Sequence, residues 1–146
     1  MPDPLDLTGD IAAAVDGAAL RHSTLALAFV REDGSPSVSF RGSTQVHSST
    51  ELAMWARKAD SGLATAISDR PRVSLVYYGG PDGPGPVFLS FEGRARVAPE
   101  LNDEVWEKMI EGERQLDPER KGVAVLIEVD SVAGAGAGGF FEQARD

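Results

Sequence analysis

The segment RVSLVYYGGPDGPGPVFLSFEGRARV, residues 72–97, decides the fold class. It contains two runs rich in β-branched and aromatic residues, Arg72–Tyr78 and Val87–Val97, and each run predicts a β-strand. The intervening GGPDGPGP can form only a loop or an exposed turn. Gly93, inside the second run, predicts a β-bulge or a point of close packing. The two runs are thus joined by a turn without a helix, as strands of an antiparallel fold often are.

Further strands are predicted on both sides of this segment. The dipeptide Asp33-Gly34 is a strong hairpin signal, and it contradicts a parallel sheet, in which a helix is needed at every crossover. Six strands joined mostly by short turns predict a mainly β fold with flanking helices, a six-stranded antiparallel split β-barrel that is closed or half-closed. The other four predicted strands are 24–30, 37–50, 51–58 and 123–132.

Three helices are predicted between the strands, within one domain over residues 1–146. The N-terminal helix lies in residues 1–20, with Thr8 or Asp6 as its cap. A short helix covers 61–68, and an acidic amphipathic helix begins at Pro99. The tail, residues 134–146, is too glycine-rich to be expected to hold regular structure unaided.

Composition narrows the range of functions. The chain has no cysteine, which excludes disulfides, a thiol nucleophile and thiolate metal sites. No apolar run is long enough for a membrane helix, and no secretory signal is recognisable, so a cytoplasmic protein without membrane partners is expected. The net charge of −9 argues against nucleic-acid binding.

The charge is unevenly distributed along the chain. Residues 34–98 carry five acids and seven bases, whereas the segments on either side are strongly acidic. Such a contrast can focus an anionic ligand onto the middle of the chain. A strand-rich segment that simply carries fewer acids explains the same numbers, so charge alone leaves both interpretations open.

The strand predicted over 37–50, SVSFRGSTQVHSST, has an unusual polar face. Val38, Phe40 and Val46 occupy even positions and are predicted to be buried, by the two-residue alternation of a strand. The odd positions, from Ser39 to His47, carry hydrogen-bonding groups and one cation, Arg41, but no acid. This face either meets solvent or lines an anion site.

The order of these segments resembles the pyridoxamine 5'-phosphate oxidase-like split β-barrels, a superfamily that includes flavin- and deazaflavin-dependent oxidoreductases. DRPRVSL and EGRARV carry the resemblance most clearly, and it covers residues 20–132. The resemblance implies a homodimer with two cofactors, FMN or alternatively F420, in grooves between the subunits. It also implies a phosphate held by basic and hydroxyl groups of the second and third strands and of the helix that follows.

Two of the four phosphate-binding positions of the oxidase match this chain. Arg41 and Ser61 align with its arginine and serine, whereas Val46 and Leu63 stand at its two lysine positions. The C-terminal GFFEQARD has no counterpart of the oxidase's substrate-recognising Arg-x-His. The resemblance therefore predicts a related chemistry but not the oxidation of pyridoxamine phosphate.

An anion site can be assembled from other residues near these positions. Arg41 and Arg57 would bind a phosphate through bidentate charge-assisted bonds, with Ser43, Ser61 or the start of the short helix as further donors. Trp55 could stack on an aromatic ring, or it could be a core residue. Arg41 could instead be solvated or paired with Glu51. The predicted cofactor-binding residues are Ser39, Arg41, Gly42, Ser43, Thr44, Trp55, Arg57, Lys58 and Ser61.

No catalytic residue is assigned. His47 could serve as an acid or base, but no acid nearby in sequence would orient it. Two distant histidines give no metal site, and the setting of a serine hydrolase is missing. The chain is predicted to be a flavin- or F420-dependent oxidoreductase acting on a small organic substrate. The alternative is a non-enzymatic dimer that binds flavin, haem or another anionic ligand in a scavenging or stress role.

Overall fold

The computed structural model describes residues 1–146, which form nine strands and four short α-helices. No helix is long and apolar enough to span a membrane. Short 3₁₀ turns occupy Ala19–Arg21 and Pro99–Leu101. The elements are β1 Asp3–Pro4, α1 Asp10–Asp16, β2 Ala26–Val30, β3 Pro36–Phe40, β4 Gln45–Ser48, β5 Glu51–Ala56, α2 Leu63–Asp69, β6 Arg72–Tyr78, β7 Phe88–Val97, α3 Asn102–Lys108, α4 Glu111–Arg114, β8 Val123–Gly136 and β9 Gly139–Ala144.

The strands form one unclosed sheet in the order β1-β9-β8-β7-β6-β2-β3, and β5 joins β4 to the side of β8. All pairs are antiparallel except β1 with β9, so the sheet is mixed. The prediction of a mainly β fold with flanking helices is confirmed. The six-stranded, wholly antiparallel description is wrong, because one predicted strand is divided and both chain ends contribute strands.

The strand predicted over 37–50 is divided into β3 and β4 by a turn at residues 41–44. The amide and hydroxyl of Thr44 both donate to the carbonyl of Arg41, at 3.3 and 2.8 Å, and close this turn. The predicted burial of Val38 and Phe40 is also wrong, since they are 72% and 75% exposed, whereas Val46 is buried. β3 pairs only with β2, and its even positions lie on the outer face of the sheet.

The glycine-rich tail is ordered, contrary to prediction. β8 continues to Gly136, and β9 returns along it with Phe140 opposite Ala135 and Phe141 opposite Gly134. Gly139, at φ +92°, makes the reversal that a larger residue would adopt with strain. The ladder with β8 supplies the hydrogen bonds that the tail alone lacks. Tight packing of Gly134 against the carbonyl of Phe88 and the ring of Phe141 explains the small residue there.

Two apolar cores lie on opposite faces of the β5–β8 pair. The larger has 27 buried residues between Leu7 and Val132, contributed by α1, α2 and most of the strands. The smaller has seven and lies between β5, β8 and α3. The helix α1 contributes Ile11 and Val15 to the large core, but Gly9 precedes it and no side chain caps it. The predicted cap is wrong, because the Thr8 hydroxyl donates to Asp6 instead.

One part of the outer sheet surface is not covered by any helix. It spans β3, β2 and β6 and includes Phe140 of β9, on the far side of β7 and β8, and its apolar side chains are 37–86% exposed. We call it the bare sheet face. It consists of Val30, Val38, Phe40, Val76, Tyr78 and Phe140.

Gly93 lies where the register of β7 and β8 shifts, as its position in the sequence predicted. A Cβ atom there would lie 2.5 Å from the carbonyl oxygen of Glu128 and 3.0 Å from Ile127. Gly93→Ala is therefore expected to lower the free energy of unfolding by about 1–3 kcal/mol, the usual cost of overpacking. Gly112→Ala is the control, because no atom lies within 4 Å of its added Cβ. Urea unfolding of both variants measures the difference, and equal midpoints would contradict the packing described here.

Candidate functional site

A cleft of about 520 Å³ lies where β5 ends, beside the turn at residues 41–44. The start of α2 and the segment before β8 form its other walls. The cleft contains four cationic side chains and a single acidic one. It is lined by Arg41, Ala56, Arg57, Lys58, Ser61, Gly62, Leu63, Leu116, Asp117 and Lys121.

Arg41 has the least satisfied side chain in the cleft. Its Nε atom is buried and has no hydrogen-bond partner in the protein. Burial, together with the nearby cation of Arg57, lowers the pKa of the Arg41 guanidinium. Glu51 does not pair with Arg41, since its carboxylate accepts from the Ser48 hydroxyl at 2.8 Å. A buried donor without a hydrogen-bond partner is costly in free energy.

Arg57, Lys58 and Ser61 also line the cleft, so four of the predicted site residues lie together. β5 ends at Ala56, so Arg57 and Lys58 both follow the strand, and the alternation of side chains along a strand does not separate them. α2 has only seven residues, so its N-terminus offers little helix dipole for an anion.

Lys121 and Asp117 belong to the cleft but were not identified from the sequence. They lie in a polar segment that showed no regular pattern. The pairing of Ala56 with Val123 brings this segment beside the end of β5. The only available signal was a lysine two residues before an apolar strand, and this signal can be interpreted only once the pairing of β5 with β8 is known.

Asp117 organises the wall of the cleft before β8. One carboxylate oxygen accepts from Trp55 Nε1 at 2.9 Å and from the amide of Gly122 at 2.8 Å. The other accepts from the amide of Lys121 at 3.0 Å. Burial alone would raise the pKa of Asp117, but these hydrogen bonds and the Lys121 cation hold it below the ordinary value. The carboxylate of the only acid in the cleft is therefore used in hydrogen bonds that hold the wall of the cleft in place.

The other predicted residues of the turn have structural partners. Ser43 is buried and accepts from the amide of Trp55 at 2.8 Å, which ties the turn to β5. Thr44 closes the turn, as described above. Gly42 lies against the carboxylate of Glu113. Ser39 is exposed on β3 and does not line the cleft.

Trp55 is a core residue and offers no free face to a ligand. Only 4% of it is exposed, and it belongs to the small core under α3. Its ring meets Trp106 edge to face, with 5.2 Å between centroids. Of the two interpretations of Trp55, the structure favours the core.

His47 has an acidic neighbour that the sequence did not reveal. Its Nδ1 lies 3.9 Å from Glu104, which belongs to α3. Neither His47 nor His22 lines the cleft. The structure contains no group of three or more His, Cys, Asp or Glu side chains suited to a metal.

Comparison with solved structures identifies the fold. A putative pyridoxamine 5'-phosphate oxidase from Lactobacillus delbrueckii superposes with a TM-score of 0.54 at 17% identity, over 80% of this chain and 88% of its own. An F420 reductase gives 0.58 at 18% identity, over 81% and 94%. An FMN-binding protein from Syntrophomonas wolfei gives 0.57 at 7% identity, over 83% and 81%.

No protein-family model and no curated protein matches the sequence. The likeness is therefore one of fold. The chain has the split-barrel fold of the pyridoxamine 5'-phosphate oxidase-like proteins, as its sequence predicted.

Asp117 provides a test of this local structure through pH. A carboxylate with a lowered pKa stabilises the fold above its unfolded pKa, and that contribution is lost as the pH falls through the folded pKa. At neutral pH, Asp117→Asn is expected to lower the free energy of unfolding by about 1–3 kcal/mol, because buried donors lose an acceptor. The difference in the free energy of unfolding between the variant and the wild type should become smaller as the pH falls below the ordinary range of aspartate pKa values.

Urea unfolding at a series of pH values measures this gap. Asp82→Asn is the control, because Asp82 is exposed in the loop before β7 and should follow the wild type throughout. A gap that stays constant down to acid pH would contradict the assigned role of the Asp117 charge.

Proposed function

We propose that the cleft binds the phosphate of FMN, or alternatively the anionic part of F420, and that the protein is a flavin- or deazaflavin-dependent oxidoreductase acting on a small organic substrate. The observation that carries this proposal is the buried Nε of Arg41, which has no hydrogen-bond partner and belongs to a cleft lined by three further cationic side chains. The fold supports it, since an F420 reductase and an FMN-binding protein share it.

The residues present fit a phosphate group. Arg41 would donate from its guanidinium, and Arg57 and Lys58 would add charge from the end of β5. None of these three side chains forms an ion pair with an acid of the protein. Ser61 would add a hydroxyl donor. Charge-assisted bonds of this kind are stronger than neutral ones, particularly at a partly buried cation.

A bound flavin or deazaflavin would supply the hydride chemistry. The chain's own part is to bind the anionic end and to fix its orientation from a rigid strand end. Asp117 is not free to act as a base, because its oxygens accept three hydrogen bonds. We therefore assign no protein residue to proton transfer.

Asp117, the only acid that lines the cleft, is fully used in structural hydrogen bonds and cannot act as a base. This also favours a second candidate function, a binding protein without catalytic activity. Such a protein would hold flavin, haem or another anionic ligand in the same cleft, in a scavenging or stress role. Reduction and reoxidation of the bound cofactor with a small acceptor separates the two, because only the oxidoreductase turns over.

We further propose that the protein is a homodimer formed through the bare sheet face. Phe40 on β3 is 75% exposed, and Val76 and Tyr78 on β6, on the other side of β2, are 54% and 67% exposed. Monomers rarely expose large contiguous apolar patches. A second copy related by a two-fold axis would cover both faces at once.

The phosphate assignment is tested by comparing FMN with riboflavin, which lacks the phosphate. Wild-type protein is expected to bind FMN more tightly, as measured by quenching of flavin fluorescence. Arg41→Gln should weaken FMN binding by roughly tenfold, about the value of a charged hydrogen bond, and leave riboflavin binding unchanged. Arg72→Gln, which removes an exposed arginine outside the cleft, is the matched control. F420 is titrated in the same way.

The proposal fails if neither FMN nor F420 binds. If a cofactor binds but Arg41→Gln and Arg72→Gln behave alike, the cofactor class is right and the cleft is wrong.

The dimer is tested by sedimentation at micromolar concentration. Phe40→Glu should shift the wild-type dimer towards monomer, because it places a charge in an apolar interface. Leu20→Glu is the control, since Leu20 is 68% exposed but lies outside the sheet. Wild-type protein that sediments as a monomer would contradict the proposed interface.

A further inference from the structure

We propose that Lys121 is a fourth cationic ligand of the anion in the cleft, and that Asp117 is the residue that positions it. This inference rests on the proposed anion-binding role of the cleft and extends it. The ligand group is a phosphate ester or free phosphate, held by side chains from the end of β5 and from the segment that leads into β8.

The local geometry fixes where Lys121 emerges. Asp117 accepts hydrogen bonds from the amides of Lys121 and Gly122, at 3.0 and 2.8 Å, and its carbonyl accepts from the amide of Arg120 at 2.9 Å. Arg120 adopts a φ of +53°, so the chain turns sharply just before Lys121. The same carboxylate binds Trp55 Nε1, which ties the turn to β5. The backbone of Lys121 is thus held at the rim of the cleft.

The side chain of Lys121 is held only weakly. Its Nζ lies 3.6 Å from Glu119, and both side chains are about three-quarters exposed, at 74% and 75%. Exposed ion pairs of this kind contribute little, so a phosphate in the cleft can compete for the ammonium group. Glu119 does not line the cleft. It therefore acts as a competitor for Lys121 and not as part of the site.

Charge balance supports a role for a fourth cation. Three of the cleft's cations, Arg41, Arg57 and Lys58, come from the turn and the end of β5. A phosphate group presents several oxygen atoms and can accept charge-assisted bonds from several donors at once. Lys121 comes from a separate segment, which the pairing of Ala56 with Val123 brings beside Arg57.

The experiment uses two probes, inorganic phosphate and FMN, with the full-length protein. Phosphate binding is measured by thermal stabilisation and FMN binding by fluorescence quenching. Lys121→Gln is expected to weaken both about three- to fivefold, the scale of an exposed charged contact. Glu119→Gln should strengthen both, because it removes the competing carboxylate.

The positioning role is tested with a double-mutant cycle. Asp117→Asn should weaken phosphate binding in the wild-type background and have no further effect in Lys121→Gln, because both changes act through one ammonium group. If Asp117→Asn weakens binding equally in both backgrounds, Asp117 is merely structural and its positioning role is overturned. Lys121→Gln and Glu119→Gln change exposed side chains only, so the test of Lys121 does not depend on folding of the Asp117 variant.

The outcomes separate this inference from the proposed function. Unchanged binding in Lys121→Gln, with FMN bound normally by the wild type, overturns the inference and leaves the proposed function intact. Phosphate binding that depends on Lys121, without binding of FMN or F420, supports the inference and overturns the cofactor. If neither phosphate nor FMN binds the wild type, both proposals are overturned.

Discussion

The ladder between β5 and β8 is the constraint on which the candidate site depends. Its six residue pairs run from Glu51 with Glu128 to Ala56 with Val123. The strands are buried on both faces, so their register is strongly determined by packing. Where the ladder ends, Arg57 emerges beside Gly122, and a side chain at Gly122 would overlap the carbonyl of Ala56. The close approach of these two segments forms the cleft.

The electrostatics of the cleft contrast with those of the whole chain. The protein carries a net charge of −9, yet the cleft is lined by four cationic side chains and one acid, whose carboxylate is already used in hydrogen bonds. Partial burial of Arg41 reduces screening by solvent, so an anion placed there interacts more strongly than it would at the surface. The surrounding negative charge disfavours long polyanions, whereas a compact phosphate end can enter the cleft alone.

The sequence predicted the mainly β fold and three of the four cations that line the cleft. Alternating strands and the Asp33-Gly34 turn depend on local chemistry, and Arg41, Arg57, Lys58 and Ser61 lie near one another along the chain. Lys121 could not be predicted, because only the pairing of β5 with β8 brings it to the cleft. If it does bind the anion, it supplies a positive charge that Val46 and Leu63 do not.

The errors also have physical causes. Val38 and Phe40 were predicted to be buried, but they lie on the uncovered surface of the sheet, where nothing packs against apolar side chains. The tail gained structure from a partner strand, which composition does not reveal. Trp55 carries both an apolar ring and a donor, and its donor is used by Asp117 inside the protein.

The most direct test observes the Arg41 side chain itself. In a ¹H–¹⁵N NMR spectrum of the arginine Nε–H groups, the Arg41 resonance is assigned by its loss in Arg41→Lys. Because this donor has no partner within the protein, the account predicts that titration with FMN shifts its resonance and that the shift saturates as the ligand binds. An Arg41 resonance that stays in place while FMN binds elsewhere would contradict the account.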